Sequence, residues 1–171
     1  DDPEKSSEAI LEAILQAWYP GERGGDAIAD IIFGDYNPSG KLPVTFYRSA
    51  DDLPDFLDYT MKNRTYRYFN GSPLWAFGYG LSYTVFEIED LRLKKNSEGW
   101  TVKVSVRNVG ENPGRDVIQL YSFGNPANPQ TCPSRELKGF AKTKVLNPGE
   151  RQSVSIELNA MDLASYVEER S

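Results

Sequence analysis

The residue types that most often carry chemistry in proteins are scarce in this chain. It has no histidine and a single cysteine, Cys132, among 171 residues. Such a composition cannot supply a Ser-His-Asp triad, a Cys-His pair, a His-ligated metal site or an internal disulfide. Acid–base chemistry within the chain therefore falls to Asp, Glu, Lys or Tyr. Cys132 has no sequence neighbour that would activate its thiol, and we interpret it as inert.

Carboxylates are concentrated in the stretch WYPGERGGDAIADIIFGD, residues 18–35, where a close pair could act as nucleophile and proton donor. They are Glu22, Asp26, Asp30 and Asp35. Glu22, however, comes just before a predicted helix at about residues 23–33, where an acid stabilises the positive end of the helix. Asp26 and Asp30 are four residues apart, so both follow the surface of that helix. We interpret these acids as scaffolding rather than as a catalytic pair.

The overall charge excludes several classes of partner. The chain carries 25 acidic and 19 basic residues, a formal net charge of −6, and no basic stripe that could follow a phosphate backbone. Nucleic acid is therefore an unsuitable partner. Hydrophobic residues make up 39% of the chain, which is enough for a core, but no run approaches the roughly 18 apolar residues of a membrane span. We predict a globular chain that binds neither nucleic acid nor membrane.

Two helices are predicted near the start of the chain. The first covers residues 3–18, and its apolar positions leave only a narrow polar stripe, which predicts that it is mostly buried. The second covers about residues 23–33, with Ile28, Ile31 and Ile32 facing inward and Gly34 as a C-terminal stop. A short strand is predicted at residues 42–46 and a loop at residues 48–65.

The chain changes character between residues 66 and 86. Eight aromatic residues in these 21 positions are interleaved with Gly71, Gly78 and Gly80. The composition predicts a rigid aromatic connection rather than a flexible linker.

Beyond residue 86 the hydrophobic period becomes two. Trp100, Val102, Val104 and Val106 alternate with polar residues, and so do Val154, Ile156 and Leu158. Both patterns are typical of half-buried strands, and the turn signals between them indicate an antiparallel sandwich. In the preceding strand the apolar parity shifts by one residue, which predicts a β-bulge near Glu89 and Asp90.

Five stretches in order carry a specific resemblance: AILQAWYPGERGGDAIADIIFGDYNPSGKLPVTF, RTYRYF, FGYGLSYTVF, VSVRNVGENPGRDVIQLY and RELKGFAKTKVLNPGE. Together they resemble the C-terminal portion of family 3 glycoside hydrolases. The resemblance implies an α+β fragment, in which residues 1–85 are the end of an α/β sandwich domain. Residues 86–171 are then a fibronectin type III-like antiparallel β-sandwich that lacks its last strands.

The resemblance also implies a function. Members of this family are retaining, exo-acting enzymes that remove non-reducing β-linked sugars, and DYTMKNRTYRYF leans towards β-xylosidases over β-glucosidases. The family's nucleophilic Asp belongs to a TIM barrel and its acid/base Glu to an upstream part of the α/β sandwich domain. Neither motif occurs here, so no catalytic residue, cofactor or metal is expected in this chain.

The implied role is scaffold and one wall of a substrate pocket. The expected partners are the rest of the parent enzyme, with its TIM barrel and α/β sandwich domain, and the parent's oligosaccharide substrate. A periplasmic or secreted location is also implied. The alternative is a stand-alone carbohydrate-binding or structural β-sandwich module, since such sandwiches serve many binding roles.

Three residues are candidates for substrate binding. Sugar rings present apolar C–H faces that stack on aromatic rings, so Tyr66 or Trp75 could line an outer subsite, although such side chains also pack domain junctions. Arg64 and Arg67 could bind sugar hydroxyls, or could pair with the nearby acids Asp51, Asp52, Asp55 or Asp58. Tyr66, Arg67 and Trp75 are retained as the candidate residues.

Overall fold

A computed structural model describes residues 13–124 and 133–164 of the chain. The chain divides into two compact units, Asp1–Tyr36 and Asn37–Ser171. The predicted domain boundary between residues 85 and 86 stays a prediction. No helix in the described ranges is long and apolar enough to cross a membrane.

The first unit contains helix α1, Gly24–Phe33, which confirms the predicted second helix. Gly34 ends it with a φ of 85°, and its N–H donates to the Ile31 carbonyl. A side chain is disfavoured at this φ, which explains the glycine. Ile28 and Ile31 are half-buried, but Ile32 is 65% exposed, so its predicted inward orientation is wrong. The apolar face of α1 is wider than the surface that covers it.

The predicted first helix is wrong over its described part, residues 13–18, because these residues are not helical. Trp18 has a φ of 52°, and Ile14 and Leu15 are exposed, so their predicted burial is also wrong. A short apolar run does not distinguish a helix from an extended segment, and helices gain most of their stability from packing. Residues 3–12 of the prediction lie outside the described residues.

Over the residues that the structure describes, the second unit is dominated by five strands in two antiparallel sheets. The first sheet has the order β1-β2-β5, with β1 Phe86–Lys95, β2 Gly99–Asn108 and β5 Arg151–Asn159. The second pairs β3 Val117–Phe123 with β4 Arg135–Lys142. A short helix α2, Thr65–Tyr68, and 3-10 turns at Ala50–Asp52 and Ala160–Leu163 complete the described elements.

The core lies between the two sheets. Its buried apolar cluster comprises Val104, Val106, Ile118, Leu146, Val154 and Ile156. The first sheet supplies four of these residues and β3 supplies Ile118, so the two sheets pack face to face as a sandwich. The predicted apolar positions are confirmed, since Val102 and Leu158 are also buried and Lys103 is exposed. Two residues of β2 depart from the predicted alternation: Trp100 has only an intermediate exposure, and Ser105, on the polar side of the period, is buried.

The predicted bulge in β1 is confirmed. The register between β1 and β2 shifts between Glu89 and Arg92, and Asp90 adopts a φ of 54°. The change in the parity of the apolar residues therefore correctly indicated one extra residue in this strand.

The predicted strand at residues 42–46 is wrong in extent, since only an isolated antiparallel bridge between Phe46 and Trp75 forms. Pro43 has no N–H to give to a ladder, which disfavours a longer strand there. The predicted loop at residues 48–65 is confirmed over residues 48–64, apart from the 3-10 turn at Ala50–Asp52, and Thr65 already belongs to α2.

Candidate functional site

Helix α2 places Tyr66 and Arg67 near the start of the aromatic segment, defined here as residues 64–80. The loop before α2 is held by Arg64, whose guanidinium donates to the main-chain carbonyls of Asp55 at 2.9 Å and Asp58 at 2.5 Å. Arg64 thus meets two of the acids expected near it, through their backbones. At the start of α2, the Thr65 N–H donates to the Tyr47 hydroxyl at 3.0 Å, which fixes the unusual φ of 54° at Thr65.

The loop before α2 has one perturbed acid. The N–H of Thr60 donates to the Asp58 carboxylate at 2.9 Å. This bond, together with one from the Thr60 hydroxyl and a smaller attraction to Arg64, lowers the pKa of Asp58 below its ordinary value. Asp58 is half-buried and its carboxylate is used in this turn, so it fits a structural role.

Tyr66 is packed on the edge of the second sheet. Its ring stacks on Phe77 with centroids 4.0 Å apart, and it meets the Tyr121 ring edge-on at 6.2 Å. Its hydroxyl accepts a hydrogen bond of 3.0 Å from the N–H of Leu137 in β4. One face, one edge and the polar tip of Tyr66 are therefore engaged within the chain.

Arg67 is paired across a long stretch of sequence. Its guanidinium forms an ion pair with Glu136 of β4, and Glu136 also pairs with Lys138 at 2.7 Å. The expected pairing of Arg67 with Asp51, Asp52, Asp55 or Asp58 is wrong, because the fold brings Glu136 to it instead. The Nε of Arg67 is buried and has no hydrogen-bond partner among the described residues.

Trp75 lies apart from the contacts of Tyr66 and Arg67. It meets the Phe46 ring edge-on with centroids 5.6 Å apart, and the Phe46 N–H donates to the Trp75 carbonyl at 2.9 Å. Its side chain is half-buried. The structure therefore brings Tyr66 and Arg67 together at β4 and gives Trp75 a separate environment.

Two residues of β3 that sequence reasoning did not single out complete the arrangement. The Gln119 amide donates to the Gly78 carbonyl at 3.1 Å, and the Tyr121 hydroxyl donates to the Gln119 side-chain oxygen. Burial raises the pKa of Tyr121, and the nearby Arg135 opposes this only in part. Glu136, Gln119 and Tyr121 come from strands far from the aromatic segment in sequence, and no local pattern marks them.

The acids of the first unit do not form an enclosed site. Asp26 pairs with Arg23 at 3.0 Å, and both side chains are largely exposed. Glu22, Asp30 and Asp35 are also exposed. Retaining glycoside hydrolysis needs a nucleophile and a proton donor about 5–5.5 Å apart in a pocket, and these acids fit the surface of a helix better. No group of three or more potential metal-binding side chains occurs in the described ranges.

Comparisons with protein families agree with this architecture. Residues 3–83 match the model of the glycosyl hydrolase family 3 C-terminal domain, and residues 116–171 match that of the fibronectin type III-like domain. The matches follow each other in the order that the resemblance implies.

Individual relatives match nearly the whole chain. A xylan 1,4-beta-xylosidase of Xylanibacter ruminicola is 45% identical over 154 residues, which cover 89% of this chain and 17% of the relative. A periplasmic beta-glucosidase of Salmonella typhimurium is 42% identical over 164 residues, which cover 86% of this chain and 21% of the relative. The chain thus spans about a fifth of the length of these relatives.

A solved structure has the same fold over most of the chain. Beta-glucosidase 3B from Thermotoga neapolitana, in complex with glucose, superposes with a TM-score of 0.78 at 38% identity, over 88% of this chain and 23% of that one. Fold, motif order and relatives agree. The chain belongs to the family 3 glycoside hydrolases and corresponds to their C-terminal portion.

Proposed function

We propose that this chain is the C-terminal part of a retaining, exo-acting β-glycosidase that hydrolyses non-reducing terminal β-linked sugars, a β-xylosidase or β-glucosidase. The observation that carries the proposal is the similarity of 86–89% of the chain to two relatives with these names, within only about a fifth of their length. The chain acts as scaffold and as one wall of the pocket, and the rest of the parent enzyme supplies the catalytic carboxylates.

The domain division proposed with this function places residues 1–85 in the α/β sandwich domain and residues 86–171 in the fibronectin-like domain. The family matches at residues 3–83 and 116–171 support this division. The substrate is an oligosaccharide, and neither nucleic acid nor membrane takes part.

The three candidate wall residues differ in what they can offer to a sugar. Tyr66 is already engaged by Phe77, Tyr121 and the Leu137 N–H. Trp75 is half-buried, and its ring meets Phe46 edge-on. Arg67 keeps 37% of its side chain exposed while it pairs with Glu136. We therefore favour Arg67 and Trp75 for direct contact with sugar and give Tyr66 a packing role against the second sheet.

A split-enzyme assay tests this function. The purified chain is incubated with nitrophenyl β-xyloside and nitrophenyl β-glucoside, alone and together with the part of the parent that precedes it. We expect hydrolysis only in the mixture, because both carboxylates of the reaction come from the preceding part.

Two controls make the assay decisive. Glu22→Gln in the mixture is expected to leave turnover almost unchanged, because Glu22 is an exposed acid just before α1. If the isolated chain hydrolyses these substrates and Glu22→Gln abolishes that activity, the loop that contains Glu22 is catalytic instead. Specific micromolar sugar binding by the isolated chain, without activity in the mixture, would favour a stand-alone binding module.

A further inference from the structure

The second sheet contacts the aromatic segment through a series of polar bonds along the edge of β4. The N–H and the hydroxyl of Ser134 donate to the Arg67 carbonyl at 2.8 and 2.9 Å, and the Leu137 N–H donates to the Tyr66 hydroxyl at 3.0 Å. An unpaired strand edge normally exposes such donors. Here the aromatic segment covers the edge of β4, and these hydrogen bonds fix the position of α2 along that strand.

A charged bond adds to this backbone registration. Glu136 holds the Arg67 guanidinium with one carboxylate oxygen and Lys138 with the other. Lys138 and Glu136 have only 11% and 27% of their side chains exposed, so the carboxylate lies between two cations in a partly dry environment. Such charge-assisted bonds are shorter and stronger than neutral ones, so this bond restrains the position of the Arg67 guanidinium.

The far end of the segment is fixed from β3. Gln119 donates to the Gly78 carbonyl, and Gly78 has a φ of 82° with no room for a Cβ, which would lie 2.3 Å from the Gln119 side-chain oxygen. Residues 66–78 are thus held at both ends by side chains of the second sheet. The contacts of the second sheet with Arg67 and Gly78 therefore go beyond packing, because they include specific polar bonds.

We propose that Glu136 is a positioning residue for substrate binding. It orients Arg67, so the fibronectin-like sandwich sets the geometry of the sugar-facing wall although it touches no sugar itself. This inference rests on the proposed function, in which Arg67 contacts sugar. It predicts that the loss of the Glu136 charge weakens substrate binding and leaves the chemical step in place, since the reacting groups lie elsewhere.

The test uses the full-length parent enzyme with Glu136→Gln, which keeps the shape and removes the charge. We expect KM for nitrophenyl β-xyloside or β-glucoside to rise about threefold or more, the range of a partly exposed ion pair, while kcat stays within about twofold. The matched control is Glu89→Gln, because Glu89 forms an ion pair of similar exposure with Arg151, away from the segment. Glu89→Gln is expected to leave KM unchanged.

A double-mutant cycle separates positioning from general stability. If Glu136 acts through Arg67, then Glu136→Gln adds no further increase in KM in an Arg67→Ala background. Additive effects, an unchanged KM or a lowered kcat in Glu136→Gln would overturn the proposal. A fall in thermal stability larger than that of Glu89→Gln, with no change in KM, would make the pair structural only.

If the parent enzyme hydrolyses neither substrate, the proposed function is refuted, but the positioning role of Glu136 can still be tested by hydrogen exchange. Glu136→Gln is then expected to speed amide exchange in residues 64–80 and to leave β2 protected as in the unmodified protein. Unchanged exchange in residues 64–80, or equal acceleration in β2, would overturn the positioning role itself.

Discussion

Ile156 offers the most direct test of how the sandwich is held together. Its side chain is 8% exposed and belongs to the buried cluster between the sheets. On the facing sheet it meets Gly139 of β4, where an added Cβ would lie 2.6 Å from the Ile156 Cγ2. Ile156 therefore fills the space that the glycine leaves.

The cost of Ile156→Ala follows from this geometry. The change removes about three methylene-sized groups at ~0.8 kcal/mol each, or about 2.4 kcal/mol of transfer free energy. A cavity of about 50 Å³ that stays open adds about 1.2 kcal/mol at ~24 cal/mol per Å³. We expect the free energy of unfolding of the sandwich to fall by about 3–4 kcal/mol.

Amide hydrogen exchange of β2 measures this loss, because the β2 amides become exposed only when the sandwich opens. A loss of about 3.5 kcal/mol raises their exchange rate about 300-fold, since each 1.4 kcal/mol is a factor of ten. Lys103→Ala is the matched control on the neighbouring strand, where Lys103 is exposed, and its effect is expected within about 0.5 kcal/mol. Similar acceleration by both changes would refute the assignment of inward and outward faces, and a loss below about 1 kcal/mol would show that the core collapses around the gap.

Three further predictions concern buried polar groups, backbone and pH. Asn108 is fully buried. Its side-chain oxygen accepts a hydrogen bond from the Thr84 hydroxyl at 2.7 Å, and its side-chain nitrogen donates to the Leu146 and Asn112 carbonyls, each at 2.8 Å. Asn108→Ala leaves these groups unpaired and is expected to lower the free energy of unfolding by about 3 kcal/mol or more, measured by the same amide exchange of β2. Similar exchange rates in the variant and the unmodified protein would mean that water replaces the amide. Gly78→Ala is expected to lower the stability of the protein in a thermal melt by about 1–3 kcal/mol, because Gly78 has a positive φ. The control Gly40→Ala is expected to be neutral, because a Cβ at Gly40 would lie in open space. Equal melting temperatures of the two variants would contradict this prediction. Hydrogen bonds from Lys144 and the Asn147 N–H lower the pKa of Glu150, so its stabilising contribution is present above the unfolded-state pKa and is lost as the pH falls through the lower folded-state value. Carboxyl NMR titration is expected to give Glu150 a midpoint below that of an unpaired glutamate, and Lys144→Ala should raise that midpoint; an unchanged midpoint in Lys144→Ala would contradict the assignment.

The strands of the sandwich could be predicted from the sequence because burial of one face imposes a period of two. Val104 and Ile156 face the core as that period predicts, and the parity shift near Glu89 predicted the bulge for the same reason. Gly34 could be assigned as a helix stop because few residues other than glycine readily adopt its φ. These features depend on neighbours within a few residues, which the sequence contains directly.

Residues 13–18 and the environment of Arg67 were decided only by tertiary structure. Ala13 to Trp18 are apolar enough for a helix or for an extended segment, and only the surfaces available for packing select between them. The local acids Asp51 to Asp58 were reasonable partners for Arg67, but its ion pair is with Glu136, 69 residues away. A charge pair at that separation forms because the aromatic segment covers the edge of β4, and the spacing of residues in the sequence does not indicate that contact.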